Sequence, residues 1–165
     1  MINEFSKWLG TTQLSHNMAG GWKWGWATCE TLHFIGLALL IGCIGVLDLR
    51  MLGFAKHIPP AAVHKMVPFG VAGFAINAIT GALFFIGAPF QYVNNIAFLF
   101  KMLFIVIAGF NILFFYLGGV FKQIEAMGPD DEPPTSAKVV SWVSIIAWFG
   151  VMYWGRMLPF VGNAF

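Results

Sequence analysis

Four long apolar blocks dominate the 165-residue sequence. They run from about residue 24 to 47, 61 to 88, 95 to 121 and 138 to 158. Each exceeds the roughly 20 residues that an α-helix needs to cross a hydrocarbon core about 30 Å thick. Backbone N–H and C=O groups that face lipid find hydrogen-bond partners only in helices or closed barrels. The short segments of alternating apolar and polar residues that form a barrel are absent from the sequence. The sequence therefore predicts an all-α, integral membrane, up-and-down four-helix bundle formed by one domain, residues 1–165.

The composition also favours a chain that lies in lipid. Apolar residues make up 59% of the sequence and charged residues 10%, with a mean hydropathy of +0.78. Soluble domains are about a quarter charged. The formal charge of +2 is small and the basic residues are scattered, so we expect no nucleic-acid partner. Cys29 and Cys43 lie on one predicted helix about 21 Å apart, which excludes a disulfide between them within the chain.

The polar connections predict which helix ends lie together. Residues 48–60 join the first two spans and residues 128–134 join the last two, so both loops lie on one side of the bundle, here called the Arg50 side. Residues 87–95 and both termini lie on the opposite, N-terminal side. Asp48 and Arg50 are expected to end span one and to pair with neighbouring loops. The basic residues are more numerous on the Arg50 side, which favours a cytoplasmic Arg50 side with both termini outside.

The segment before span one has an amphipathic pattern. Ile2, Phe5, Trp8 and Leu9 recur at helical spacing. Residues 2–16 are therefore predicted to form a short interfacial helix along the outer surface. Tryptophans at the start of span one form a belt of the kind that marks a membrane interface: Trp22, Trp24 and Trp26.

Polar side chains within the spans are the candidates for function, because such groups are costly in hydrocarbon and face the interior of a bundle. At 1.5 Å per residue, six of them lie about 7–15 Å from the N-terminal-side ends of the spans. These six are Glu30, His33, Asn77, Thr80, Lys101 and Tyr153. We expect Glu30 and Lys101, both about 9 Å deep, to form an ion pair. Asn77 is expected to meet and orient the His33 imidazole.

Small residues on span two predict a close helix contact. Gly70, Gly73, Asn77 and Gly81 share one face, on which another helix can approach closely. The chain has more glycine-lined helix faces than the helix contacts within one small bundle use. We therefore expect a homo- or hetero-oligomer with other membrane subunits.

The predicted polar layer suits a redox ligand in two ways. A haem b would take His33 as an axial ligand, or a quinone would hydrogen-bond to His33 and its neighbours, with Glu30, Asn77 and Lys101 lining the pocket. A second axial ligand would come from Met102, Met152, Tyr153, His16 or a partner subunit. His64 lies about 20 Å from the level of His33, so the two histidines cannot share one iron. A metal site at His64, with His57 nearby, would be separate.

Two segments carry a resemblance to a known family. They resemble an uncharacterised family of short bacterial four-span inner-membrane proteins. The first is Glu30-Thr-Leu-His33 through Gly42, followed by Leu47-Asp-Leu-Arg-Met-Leu-Gly53, and the second is Ala97-Phe-Leu-Phe-Lys101 through Phe115. That family is distantly similar to the CopD copper-resistance membrane domain. The resemblance implies a bacterial inner-membrane location and four helices. At the position of Tyr116 the family often has a histidine that would face His64, and this chain departs there.

These observations favour a membrane redox module, a subunit of a larger complex that passes electrons through a haem or quinone near His33. One alternative is a non-catalytic anchor or assembly protein, in which the polar layer only fixes helix register. Another is a small ion or proton carrier, with copper suggested by the CopD resemblance, although this chain lacks Met/His clusters that favour soft copper. No independent catalytic activity is expected.

Overall fold

The computed structural model describes residues 2–161, a part of the chain that is 79% helical and contains no strand. Met1 and residues 162–165, which the predicted domain includes, lie outside the described residues. The helices are α1 Ile2–Gly10, α2 Gln13–His16, α3 Gly25–Met51, α4 Pro60–His64, α5 Val67–Gly87, α6 Pro89–Val93, α7 Ile96–Leu117, α8 Val120–Glu125 and α9 Thr135–Met157, with a π-helical turn at Asn17–Gly21. The predicted all-α four-helix bundle is confirmed.

Four helical segments are long and apolar enough to cross a membrane: Gly25–Met51, Pro60–Gly87, Ile96–Leu117 and Thr135–Met157. They correspond to the four predicted blocks and are called spans one to four. Their length and hydropathy are compatible with a multi-pass membrane protein.

Span two is interrupted at Lys65–Met66, as expected from the proline within the predicted block, because Pro68 lacks a backbone N–H and is accommodated in the first turn of α5. Some span ends differ from the prediction. Span three ends at Leu117 and not at residue 121, since Gly119 adopts a left-handed φ of 77° before α8 begins. Span one continues to Met51, and Gly53, with φ 98°, follows its end.

The spans pack as two pairs. Span one packs along span two, span three packs along span four, and span one also contacts span four. Spans two and three share few backbone contacts in the described chain and meet through rings near their ends. Phe85 stacks on Phe98 at 5.9 Å on the N-terminal side, and His64 lies 6.0 Å from the Tyr116 ring on the Arg50 side. A cleft therefore remains between spans two and three, which we call the lateral cleft.

The predicted glycine contact is confirmed at the crossing of spans one and two. A Cβ added to Gly73 would lie 2.6 Å from the carbonyl oxygen of Gly36 and 2.7 Å from the amide nitrogen of Leu40. A Cβ added to Gly70 would lie 3.0 Å from side-chain atoms of Ile44. At the crossing itself the two helix backbones approach closely because neither Gly36 nor Gly73 carries a side chain.

The N-terminal segment folds onto the end of the bundle to which it was assigned. Helix α1 packs against α6, which joins spans two and three. Phe5 and Trp8 of α1 are exposed, as the amphipathic pattern predicts for an interfacial helix. The predicted single helix over residues 2–16 is divided, because residues 11 and 12 lie between α1 and α2. Asn95 donates a hydrogen bond to the Leu158 carbonyl at 2.9 Å, so the end of span four lies on this side too.

Polar contacts close the Arg50 side. The buried Arg50 donates to the carbonyl oxygens of Ile58 at 2.5 Å and Lys56 at 3.1 Å, as expected for a residue that pairs with its loop. The Asp130 amide also donates to the Lys56 carbonyl, at 2.8 Å. Glu132 forms ion pairs with Lys56 and Lys138. These two ammonium groups lower the pKa of the exposed Glu132 carboxyl from 4.5 to about 2.

Candidate functional site

His33 is held by a hydroxyl of span two. Its Nδ1 lies 2.7 Å from the Thr80 Oγ1, and the same hydroxyl lies 2.7 Å from the Ile76 carbonyl. A hydroxyl has one proton, and the carbonyl can only accept. If Thr80 donates to Ile76, it accepts from His33, which assigns the proton to Nδ1 and leaves the Nε2 lone pair available. The Phe84 ring packs edge-on against this imidazole at 5.6 Å.

Asn77 does not orient His33 as predicted. Its amide donates to the Gly73 carbonyl at 3.0 Å, and its Oδ1 is buried without a partner in the described structure. Thr80 provides the contact to the imidazole instead. Asn77 is three residues before Thr80, so it lies nearly a turn farther along the same face, against Gly36.

The predicted ion pair between Glu30 and Lys101 is absent from the described residues. Glu30 is exposed, whereas the preceding residue, Cys29, is buried. One position along an α-helix corresponds to a rotation of about 100°, which turns Glu30 away from the interior. Lys101 instead lies along span four, where a Cβ added to Gly155 would be 3.7 Å from its Nζ. The structure thus leaves Glu30 exposed and directs Lys101 towards span four.

None of the predicted second ligands within the chain bonds to His33 in the described structure. Met102 is exposed on span three, Tyr153 is exposed beside Trp154, and His16 is exposed on the surface segment. Met152 lines a groove between spans one and four at the level of Ile41, about 12 Å along the helix from His33.

His64 forms its own contact at the other end of the bundle. Its Nε2 lies 2.9 Å from the Tyr116 hydroxyl, which confirms that these two residues are level. The Phe121 ring packs on the imidazole at 4.5 Å. His57 is exposed in the preceding loop. Among residues 2–161, no group of three or more His, Cys, Asp or Glu side chains is arranged to hold a metal ion.

The lateral cleft contains a cavity of about 280 Å³ in the half of the bundle nearest the Arg50 side. Val71 of span two and Ile112 of span three line its two edges and are 59% and 46% exposed, so the cavity opens laterally between these spans. Spans one and four form its floor. It extends along span one from Leu40 to Met51, roughly 16 Å.

Four polar side chains line this otherwise apolar cavity: Asp48, Asn111, Tyr116 and Ser144. Asp48 is 3% exposed, and the Ser144 hydroxyl interacts with its carboxyl group. Asn111 donates to the Val140 carbonyl at 3.0 Å, which directs one amide hydrogen away and leaves its oxygen as an acceptor. The polar groups are therefore few and gathered in one half of a hydrophobic site, as in ligand pockets.

The cavity is a candidate site apart from the one predicted around His33. The predicted site residues do not line it: His33, Glu30, Asn77, Lys101, Met102 and Met152. Asp48, predicted to end span one and pair with a loop, faces the cavity. The sequence did carry a signal, because Asp48, Asn111 and Ser144 are polar positions within or at the end of apolar blocks. Depth alone did not reveal that they converge.

Comparisons with known protein families, with curated proteins and with solved structures found no match to this chain.

Proposed function

We propose that this protein is a membrane redox module that binds an isoprenoid quinone in the lateral cleft. The observation that carries the proposal is the cavity between spans two and three, which opens laterally and gathers its polar groups in one half. A quinone needs these two properties, because its tail stays in lipid while its ring carbonyls require hydrogen-bond donors. We propose this cavity as the quinone site in preference to the position predicted near His33.

The size and lining of the cavity support a ring bound inside and a tail outside. Its volume of about 280 Å³ lies near the lower limit of ligand pockets, ~300 Å³. That volume suits a head group better than a whole isoprenoid molecule. The exposed edge residues Val71 and Ile112 let the tail leave between the spans.

Two polar groups of the lining are proposed to face the two ring oxygens: the Tyr116 hydroxyl and the Asp48 carboxyl, which Ser144 contacts. The Tyr116 hydroxyl lies at one end of the lining, bonded to His64. Ser144 lies in the floor beside Asp48. Reduction of a quinone to a quinol takes up two electrons and two protons. We propose that the electrons come from a redox protein in the same bacterial inner membrane, with which this chain forms a complex, and that the Arg50 side is cytoplasmic.

A haem at His33 is the second candidate, favoured by one observation. The Thr80 contact leaves Nε2 of His33 with a lone pair, and ligating histidines usually donate their other ring N–H to a protein acceptor. A reducible Soret band in the purified protein, lost in His33→Ala, would support this candidate. The resemblance to the CopD-like four-span family is compatible with either ligand.

Quinone binding can be tested with two matched glycine substitutions. Gly109 lines the cavity and has open space where its Cβ would be, so Gly109→Leu fills the cavity without a clash at the Cβ. Gly42 also has open space but lies outside the described cavities, and Gly42→Leu is the control. We expect decylubiquinone, titrated into protein in lipid nanodiscs, to bind Gly109→Leu about tenfold or more weakly than wild type. Gly42→Leu should bind like wild type. Absence of binding to the wild type, or equal binding by both variants, would refute the proposal.

A further inference from the structure

We infer that Asp48 is the residue that exchanges a proton with the quinone ring in the lateral cleft. The inference rests on the proposed function, because it assigns a role within the same cavity. It starts from the position of Asp48, which is 3% exposed yet lines both the cavity and the groove between spans one and four. An ionisable side chain buried at membrane depth is costly and marks a functional position by default.

The surroundings of Asp48 leave its carboxyl without a countercharge. Within residues 2–161 Asp48 forms no ion pair, since the ion pairs described are those of Glu132. Arg50, two positions along span one, bonds to the carbonyls of Lys56 and Ile58. The cavity residues that face Asp48 from span two are apolar, and Ser144 is its neighbour on span four. A buried carboxyl without a cation is the kind that can hold a proton and release it.

Asp48 also lies close to a source of protons. Span one ends at Met51, three residues later, which places Asp48 about 5 Å from the Arg50-side end of the helix. The groove between spans one and four reaches the same carboxyl from the opposite side of the bundle. The residue therefore lies between the ligand cavity and the end of the span that faces the loops.

As the quinone receives electrons from a membrane redox protein, the O–H bond of the protonated Asp48 breaks and a new O–H bond forms on one quinone oxygen. The Asp48 carboxylate then takes a proton from water at the Arg50 side. The second proton comes from the Tyr116 hydroxyl, whose O–H bond breaks as one forms on the other quinone oxygen, and the tyrosine regains a proton from water at the Arg50-side end of span three, one residue away. Two electrons and two protons convert one quinone to one quinol. Ser144 is a positioning residue that holds the Asp48 carboxyl.

Infrared difference spectroscopy tests this step directly. Protein in lipid nanodiscs is loaded with decylubiquinone, and an electrode supplies the electrons. We expect the reduced-minus-oxidised spectrum to contain the C=O band of a protonated carboxyl that shifts when aspartate is labelled with ¹³C in its carboxyl group. The label identifies the residue, because the other two aspartates, Asp130 and Asp131, are exposed in a polar loop. The band should disappear in Asp48→Asn and shift in Ser144→Ala.

The outcomes separate the two proposals. Wild-type protein that binds and reduces quinone without a label-sensitive carboxyl band overturns the role of Asp48 alone. A band that persists in Asp48→Asn overturns it as well. Wild-type protein that binds no quinone overturns the proposed function and this role together. The labelled wild type keeps the test decisive even if Asp48→Asn does not fold.

Discussion

The close crossing of spans one and two predicts that Gly73→Ala destabilises the bundle. The added methyl group would lie 2.6 Å from the Gly36 carbonyl oxygen and 2.7 Å from the Leu40 amide nitrogen, both backbone atoms. Backbone atoms cannot rotate away as a flexible side chain can, so the two helices must separate. Span one is the partner of span two and also contacts span four, so their separation disturbs the floor of the cavity.

The magnitude follows from two opposing effects. Overpacking a tight contact costs about 1–3 kcal/mol. Replacing glycine by alanine inside a helix contributes about 0.5–1 kcal/mol of stability. We therefore expect a net loss of about 0–2.5 kcal/mol in the free energy of unfolding relative to wild type, and of about 1–3 kcal/mol relative to a glycine-to-alanine change that makes no clash. For a chain of this size, 1 kcal/mol corresponds to a shift of about 2–4 °C in Tm.

Gly42→Ala is the matched control on span one. No atom lies within 4 Å of a Cβ added at Gly42, so only the helix-propensity effect remains. Unfolding of both variants is followed by far-ultraviolet circular dichroism during titration with dodecyl sulfate in mixed micelles. We expect Gly42→Ala to be as stable as wild type or slightly more stable. If Gly73→Ala were equally stable, spans one and two would not cross at Gly36 and Gly73, and the packing described above would be refuted.

Three further predictions test other contacts. The lowered pKa of Glu132 stabilises the folded state above pH 4.5, and this contribution is lost as the pH falls towards 2. Glu132→Gln should therefore lower Tm at neutral pH and have little effect on Tm near pH 2. Equal changes in Tm at the two pH values would contradict the ion pairs. Thr80→Val should lower the free energy of unfolding by about 1–3 kcal/mol, because it leaves the half-buried His33 N–H without an acceptor. In the wild type, ¹⁵N NMR of His33 should show the proton on Nδ1, and a proton on Nε2 would contradict this tautomer. Tyr116→Phe should weaken decylubiquinone binding about tenfold through loss of one hydrogen bond, and unchanged affinity would remove Tyr116 from the site.

Features that depend on composition or spacing along one helix were predictable from the sequence. The four spans follow from the length of the apolar blocks, and the crossing at Gly73 follows from small residues on one face of span two. The contact between His64 and Tyr116 agrees with their predicted common depth. Each of these depends on a periodicity that the helix itself imposes.

Features that depend on the rotation and neighbours of the helices were not predictable. Glu30 and Lys101 share a depth, but span three packs on span four, so Lys101 lies along Gly155 while Glu30 is exposed. Depth supplies one coordinate of a residue, whereas a contact also requires the angle around the helix. The lateral cleft could not be found either, because it arises from sparse packing between two neighbouring spans. Asp48 was therefore assigned to a loop contact.

Photoaffinity labelling with an azido-quinone would show where on the protein a quinone binds. The probe is added to the wild-type protein in lipid nanodiscs, activated by light, and located by mass spectrometry of peptides, with excess decylubiquinone as competitor. We expect competed labels on the two edges of the lateral cleft, within residues 67–74 of span two and 105–116 of span three. Labels confined to the surroundings of His33, or labels that the competitor does not remove, would contradict this expectation.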